Sequence, residues 1–279
     1  MKLVKGSTVL IPWSGGMDST YLVYKAIMAG CEVTTAYYEI ENNSIKVKAE
    51  LKARNEMMDY FRTLASEHGT RYYDRGTIFK MNTGGGFNIS PIGVFSQTPL
   101  WVLASAYYAA DYDCVAMGFV QGDETISWQK EYIHLFDAYK KIRRDFTEPS
   151  KVKLIFPISR TKKDAIHYLL PIELKYKTWT CEDPINIENS LYECGCCLPC
   201  KTHLANTQQL NYPAPTEDYS PKVIEEIEKQ VPSVDSIDSL LQLRTEVNKK
   251  IRDLRKKSLD LLPLEERCQD LVEVELKDE

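Results

Sequence analysis

The stretch Val9–Ile40, "VLIPWSGGMDSTYLVYKAIMAGCEVTTAYYEI", decides the fold. Val9, Leu10 and Ile11 form the apolar centre of a strand over Thr8–Trp13. Pro12 falls near its end, where a missing ladder donor costs least. A Ser-Gly-Gly-x-Asp-Ser turn follows. Asp18–Ala29 then reads as a helix, with Leu22, Val23, Ala26 and Ile27 on its apolar side and Gly30 as its stop. Glu32–Ile40, rich in β-branched and aromatic residues, reads as a second strand. A strand, a helix and a strand in this order predict a βαβ unit and a parallel sheet.

The turn has its own chemistry. Gly15 and Gly16 let the backbone come close to a ligand. Ser14 and Ser19 add hydroxyls, and the helix that follows aims its unpaired N–H groups and positive dipole end at the same place. Together they suit an anion, most simply a phosphate. The turn matches neither GxxxxGK[ST] nor GxGxxG. Asp18 beside a phosphate is repulsive unless it handles a cation, which fits Mg²⁺; as a plain turn residue, Asp18 or Ser19 would cap the helix.

Beyond this unit the alternation continues. A charged helix is expected over Lys46–His68, a short strand near Arg71–Tyr73 and a loop at "MNTGGGFNIS". Thr98–Ala110 suits a buried helix. "CVAMGFV" and "VKLIFPI" read as strands, and a helix begins at Lys162. This pattern predicts a doubly wound α/β domain with ligands at the carboxyl ends of its strands. The character changes near Gln208, so 1–207 is expected as the α/β domain and 208–279 as a helical extension. There "NYPAPTEDYSPK" is a linker, and Leu240, Leu243, Val247, Ile251 and Leu254 make an apolar stripe. The stripe suits packing on the chain's own domain, homodimer formation or docking of a partner protein.

Charge and cysteine usage narrow the class. A net charge of −5 disfavours a nucleic-acid binder that works by bulk electrostatics. No signal peptide or membrane-length apolar run is seen, so a cytoplasmic location is expected. The chain has 8 cysteines, and five of them crowd into Cys181–Cys200. In a reducing compartment this points to metal rather than disulfides. Cys181, Cys194, Cys197 and Cys200 are chosen as a structural Zn²⁺ set, because CxxC turns chelate while adjacent Cys196 and Cys197 seldom both ligate one ion. Cys196 replacing one of the four, free thiols, a redox dithiol and an Fe–S cluster stay open.

"SGGMDS" resembles the SGGxDS signature of the PP-loop ATP pyrophosphatases, which cleave ATP to AMP and pyrophosphate. "TWTC…CGCCLPC" is similar to the zinc motif of QueC-type 7-cyano-7-deazaguanine synthases. "TPLWVLASAYYAADYDCVAMGFV" and "FPISRTKKDAI" resemble further segments of that family in the same order, so the likeness spans residues 8–205. It implies that Ser14, Gly15, Gly16, Asp18, Ser19 and Thr20 bind ATP phosphates and Mg²⁺, with Asp18, Ser19 and Lys163 as the catalytic set. It implies a ligase that adenylates the carboxylate of 7-carboxy-7-deazaguanine and passes it to ammonia, giving the amide and then the nitrile.

The likeness weakens at the base-reading segment, here "GFVQGDETISWQKEYI". Gly118 and Asp123 match the family pattern, but its Asp-Cys-Arg block has no counterpart. Asp123 or Glu124 could accept from a guanine-like edge, and Phe119 or Trp128 could stack on the ring. Gly118, Asp123 and Glu124 are therefore the expected substrate residues. Three other outcomes stay open: conjugation of the activated deazaguanine to a partner protein's amine, as in QueC-like proteins of antiviral CBASS systems, a tRNA-modifying PP-loop enzyme, and a zinc-stabilised nucleotide sensor or scaffold without turnover.

Overall fold

Strand β1 (Thr8–Pro12) lies at the centre of a sheet. Its Val9, Leu10 and Ile11 are all fully buried. A strand without alternation is one covered on both faces. Val9 and Ile11 face one helical layer with Leu22, Val23 and Phe61, while Leu10 faces another with Val102 and Phe136. The computed structural model describes residues 2–41, 44–82, 97–142, 151–187, 190–195, 197–207 and 209–213.

Helix α1 (Met17–Met28) leads from β1 to β2 (Glu32–Glu41), which pairs parallel to β1 in the register Leu10↔Thr34. Helix α2 (Ser44–Glu67) leads to β3 (Tyr72–Asn82) on the outer side of β2. The chain then crosses over. Helix α3 (Thr98–Tyr108) precedes β4 (Cys114–Ala116), which pairs on the other side of β1. A 3-10 turn at Glu124–Trp128 and α4 (Gln129–Ile142) precede β5 (Lys153–Ile155) beyond β4. The resulting order is β3-β2-β1-β4-β5, all parallel. This is the expected doubly wound α/β sheet. Its order reverses between β1 and β4, so their carboxyl ends open a crevice.

Helices α5 (Lys163–Leu169) and α6 (Ile172–Lys175) complete the first layer. An antiparallel hairpin, β6 (Ile185–Ile187) with β7 (Ser190–Tyr192), and α7 (Leu198–Thr207) follow. The strand expected near Arg71–Tyr73 is much longer, running to Asn82. Helices α4 and α6 and the β6–β7 hairpin were not expected. Residues 83–90 of the expected loop lie outside the described residues, as do 214–279 of the helical extension. Among the described residues, no helix is long and apolar enough to cross a membrane.

A charged side chain sits at the centre of this frame. Arg54 is 2% exposed. Its Nη1 donates to the Trp13 carbonyl at 2.8 Å, and its Nη2 pairs with Asp74 of β3. The guanidinium lies 4.9 Å from the Trp13 ring centroid and 5.2 Å from that of Tyr37. Asp74 also accepts from Thr35 Oγ1 at 2.6 Å and from the Gly76 amide at 3.1 Å. Arg54 thus joins α2, β3 and the end of β1 at one point. Removing one partner of a buried pair strands the other charge. Arg54→Met is expected to lower the unfolding free energy by about 3 kcal/mol in urea titration; a loss below about 1 kcal/mol would contradict this role.

Candidate active site

The end of β1 turns sharply into α1. Gly15 has φ +83°, which favours glycine. A Cβ on it would stand 3.0 Å from the Glu50 carbonyl oxygen and 3.1 Å from Arg54 Cγ. The turn is therefore pressed against α2. Gly118, just past β4, is as constrained: a Cβ there would lie 2.9 Å from Ser19 Cα. Glycine at 118 lets the ends of β4 and α1 approach closely.

No side chain caps α1; its N-cap is Gly16. The two serines serve the turn instead. Ser14 Oγ accepts the Gly16 amide at 3.2 Å and lies 3.2 Å from Ser19 Oγ, which donates to the Gly16 carbonyl. The Asp18 carboxylate lies in the same turn. Its Oδ2 is 3.5 Å from Lys163 Nζ, and its Oδ1 is buried without a hydrogen-bond partner among the described residues. Burial pushes the Asp18 carboxyl above the usual carboxylate range, with Lys163 opposing and Asp123 adding to the shift. A buried carboxylate oxygen with no donor is a site for a proton or a cation. Together with the loop amides, it fits Mg²⁺ beside phosphate.

These residues border a cavity of about 580 Å³ at the crevice between β1 and β4. Ser14, Gly16, Asp18, Ser19, Gly118, Asp123 and Lys163, all picked from sequence, line it together. Gly15 lies beneath as backbone. Thr20 is different: it is fully buried, and Oγ1 accepts the Trp13 indole N–H at 2.9 Å, so its side chain supports the loop from the core. Asp123 Oδ2 accepts the Val120 amide at 2.8 Å, which fixes the carboxylate at the cavity edge. The Glu124 side chain lies outside the described residues.

Most of the other lining residues carry no sequence signal; Phe119 is an exception. Tyr38, Trp101 and Phe119 form an aromatic wall, with Trp101 and Phe119 stacked at 6.2 Å and 28°. Phe119 was a stacking candidate; Trp128, the other, is 54% exposed and lies outside the lining. Tyr37, Lys46 and Glu50 come from β2 and α2, and Glu182 from the segment after Cys181. Tyr37 OH donates to Glu50 Oε2. Burial holds the Glu50 carboxyl above its ordinary range, against the pull of Lys46. Asp18, Asp123, Glu50 and Glu182 outnumber Lys46 and Lys163 in the lining. A polyanion would need divalent cations to enter such a cavity.

The chosen cysteines converge. Ligand atoms of Cys181, Cys194, Cys197 and Cys200 all lie within 4.8 Å of one another. The Cys194 amide donates to Cys181 Sγ and the Cys197 amide to Cys194 Sγ, each at 3.3 Å. Four sulfurs so placed, with amides turned toward them, fit a closed tetrahedral zinc site. Cys196 lies outside the described residues. The cluster reaches the glycine turn through the backbone: the Trp179 amide donates to the Gly15 carbonyl at 3.0 Å. Glu193, 1% exposed, braces this segment. Its Oε1 accepts from the Thr180 amide and hydroxyl, and its Oε2 from the Asn211 and Tyr212 amides.

Comparison with known proteins adds little. No protein-family model and no curated protein matches the chain. Among solved structures, a predicted subunit of tRNA methyltransferase from Methanocaldococcus jannaschii is 13% identical, over 58% of this chain and 74% of that one, with a TM-score of 0.37. NMN synthetase from Francisella tularensis is 15% identical over 80% and 82%, with a TM-score of 0.28. A short-chain dehydrogenase/reductase from Serratia marcescens is 8% identical over 50% and 51%, with a TM-score of 0.24. At these scores the likenesses carry no argument about function.

The cysteine geometry makes a direct prediction. Purified protein should hold one zinc ion per chain by elemental analysis. Cys200→Ser should lose the metal and lower Tm by about 10 °C. A metal-free native protein, or an unchanged Tm in the variant, would contradict the assignment.

Proposed function

We propose that the protein is an ATP-dependent, AMP-releasing enzyme of the PP-loop type that activates the carboxylate of a 7-deazaguanine acid for attack by an amine. One observation carries the reading. Ser14, Gly16, Ser19, the Asp18 carboxylate and Lys163 line one cavity at the crevice between β1 and β4, with Asp18 Oδ2 3.5 Å from Lys163 Nζ.

The chemistry asks little acid–base work of the protein. A carboxylate is a poor electrophile until its oxygen becomes part of a leaving group. The acid oxygen attacks the α-phosphorus of ATP; the new P–O bond forms as the bond to pyrophosphate breaks. The amine nitrogen then attacks the acyl carbon, AMP departs with the bonding pair, and the amine loses a proton to solvent. Charge builds on the departing pyrophosphate. The amides of residues 17–19, in the first turn of α1, and the Ser14 hydroxyl would receive it, and Lys163 would neutralise it. Asp18 would hold Mg²⁺, which lowers the charge that the loop must meet. The wall of Tyr38, Trp101 and Phe119 suits a flat heterocycle, and Asp123 offers an acceptor for its polar edge.

The test incubates the full chain with Mg-ATP and 7-carboxy-7-deazaguanine, with and without ammonium. AMP and pyrophosphate should form only when both substrates are present, and the base mass should shift to the amide or nitrile with ammonium. Asp18→Asn and Lys163→Met should each lower kcat by about a hundredfold. Release of ADP, or AMP formation indifferent to the base, would overturn the proposal. AMP formed without any change in base mass unless a partner protein is added would assign a protein amine as the acceptor.

A further inference from the structure

Lys46 and Glu182, both in the cavity lining, form an ion pair. Lys46 stands in the first turns of α2, one helical turn before Glu50, whose carbonyl oxygen is pressed against Gly15. Glu182 lies three residues after Trp179, whose amide holds the Gly15 carbonyl. Both ends of the ion pair are therefore anchored to the two elements that clamp the glycine turn. The partners differ in freedom. The Lys46 side chain is 16% exposed and also lies 3.9 Å from Glu50 Oε1; the Glu182 side chain is 54% exposed.

We infer that Lys46 is a second phosphate-binding cation, and that Glu182 competes with the nucleotide's terminal phosphates for it. The inference rests on the nucleotide reading above and extends it to residues that neither sequence motif includes. The lysine stands in the first turn of α2 and lines the same cavity as the turn. The carboxylate that faces Lys46 is 54% exposed, so solvent screens its side of the pair. A phosphate with two charges and three acceptor oxygens is the stronger partner. Glu50 Oε1, 3.9 Å from the ammonium, stays beside Lys46 in either pairing. Exchange would release Glu182 to solvent, removing one negative charge from the mouth as the polyanion enters.

The test compares Mg-ATP with AMP, which lacks the β- and γ-phosphates, by isothermal titration on zinc-loaded full-length protein. Lys46→Met should weaken Mg-ATP about tenfold or more while leaving AMP unchanged, and Lys46→Arg should recover most of the loss. Glu182→Gln should tighten Mg-ATP about two- to threefold at low salt, and this gain should vanish in the Lys46→Met background. Unchanged AMP affinity reports that the variants keep a folded site. Wild type that binds Mg-ATP, with Lys46→Met binding it equally well or losing AMP in parallel, would overturn this inference alone. Wild type that binds neither Mg-ATP nor pyrophosphate would overturn the nucleotide reading and this inference with it.

Discussion

The site depends on one buried guanidinium. Arg54 reaches from α2 to the Trp13 carbonyl, where β1 gives way to the glycine turn, and to Asp74 on β3. It lies over the faces of Trp13 and Tyr37, and Gly15 is pressed on its stem. A planar, permanently charged group with five donors suits such a junction, where lysine would offer one compact charge. The pairing fixes where β1 ends. The Gly-Gly turn must then form above it, because α2 leaves no room for a side chain at 15.

The turn is held from its other side by the cysteine knuckle. The Trp179 amide fixes the Gly15 carbonyl, and the Trp179 indole donates to the Cys181 carbonyl at 2.8 Å. Glu193 ties Thr180 to Asn211 and Tyr212. The knuckle therefore does more than stabilise a distant loop. It forms part of the scaffold of the glycine turn and supplies Glu182 to the cavity. In the proposed reaction, a turn whose amides meet developing charge without reorganising gains from being clamped on both sides.

Much of this was legible in the sequence, for identifiable reasons. The unbroken apolar run of β1 can only be a central strand, and the turn after it has few chemical uses. Spacing alone selected four cysteines that the fold brings together. The rest was hidden by context. β3 is an edge strand carrying Asp74, Arg75 and Lys80, so its polar residues masked all but its start. α4 buries Phe136 but opens next to the segment "QGDETISW", which drew attention as a substrate loop rather than a helix start. Arg54 and Lys46 sit in a charged run that resembles a solvated helix face, and only the tertiary fold turns them inward. Thr20 directly follows the motif, but the helix phase aims it at Trp13 and away from the cavity.

The central claim is that the turn at residues 14–19 cradles phosphate. A crystal structure with Mg²⁺ and pyrophosphate addresses it most directly. The account places the anion on the amides and hydroxyls of that turn, with Asp18 Oδ1 on the metal and Lys163 Nζ within hydrogen-bond reach. Pyrophosphate bound elsewhere in the molecule, or a turn that stays without ligand at saturating concentration, would contradict it.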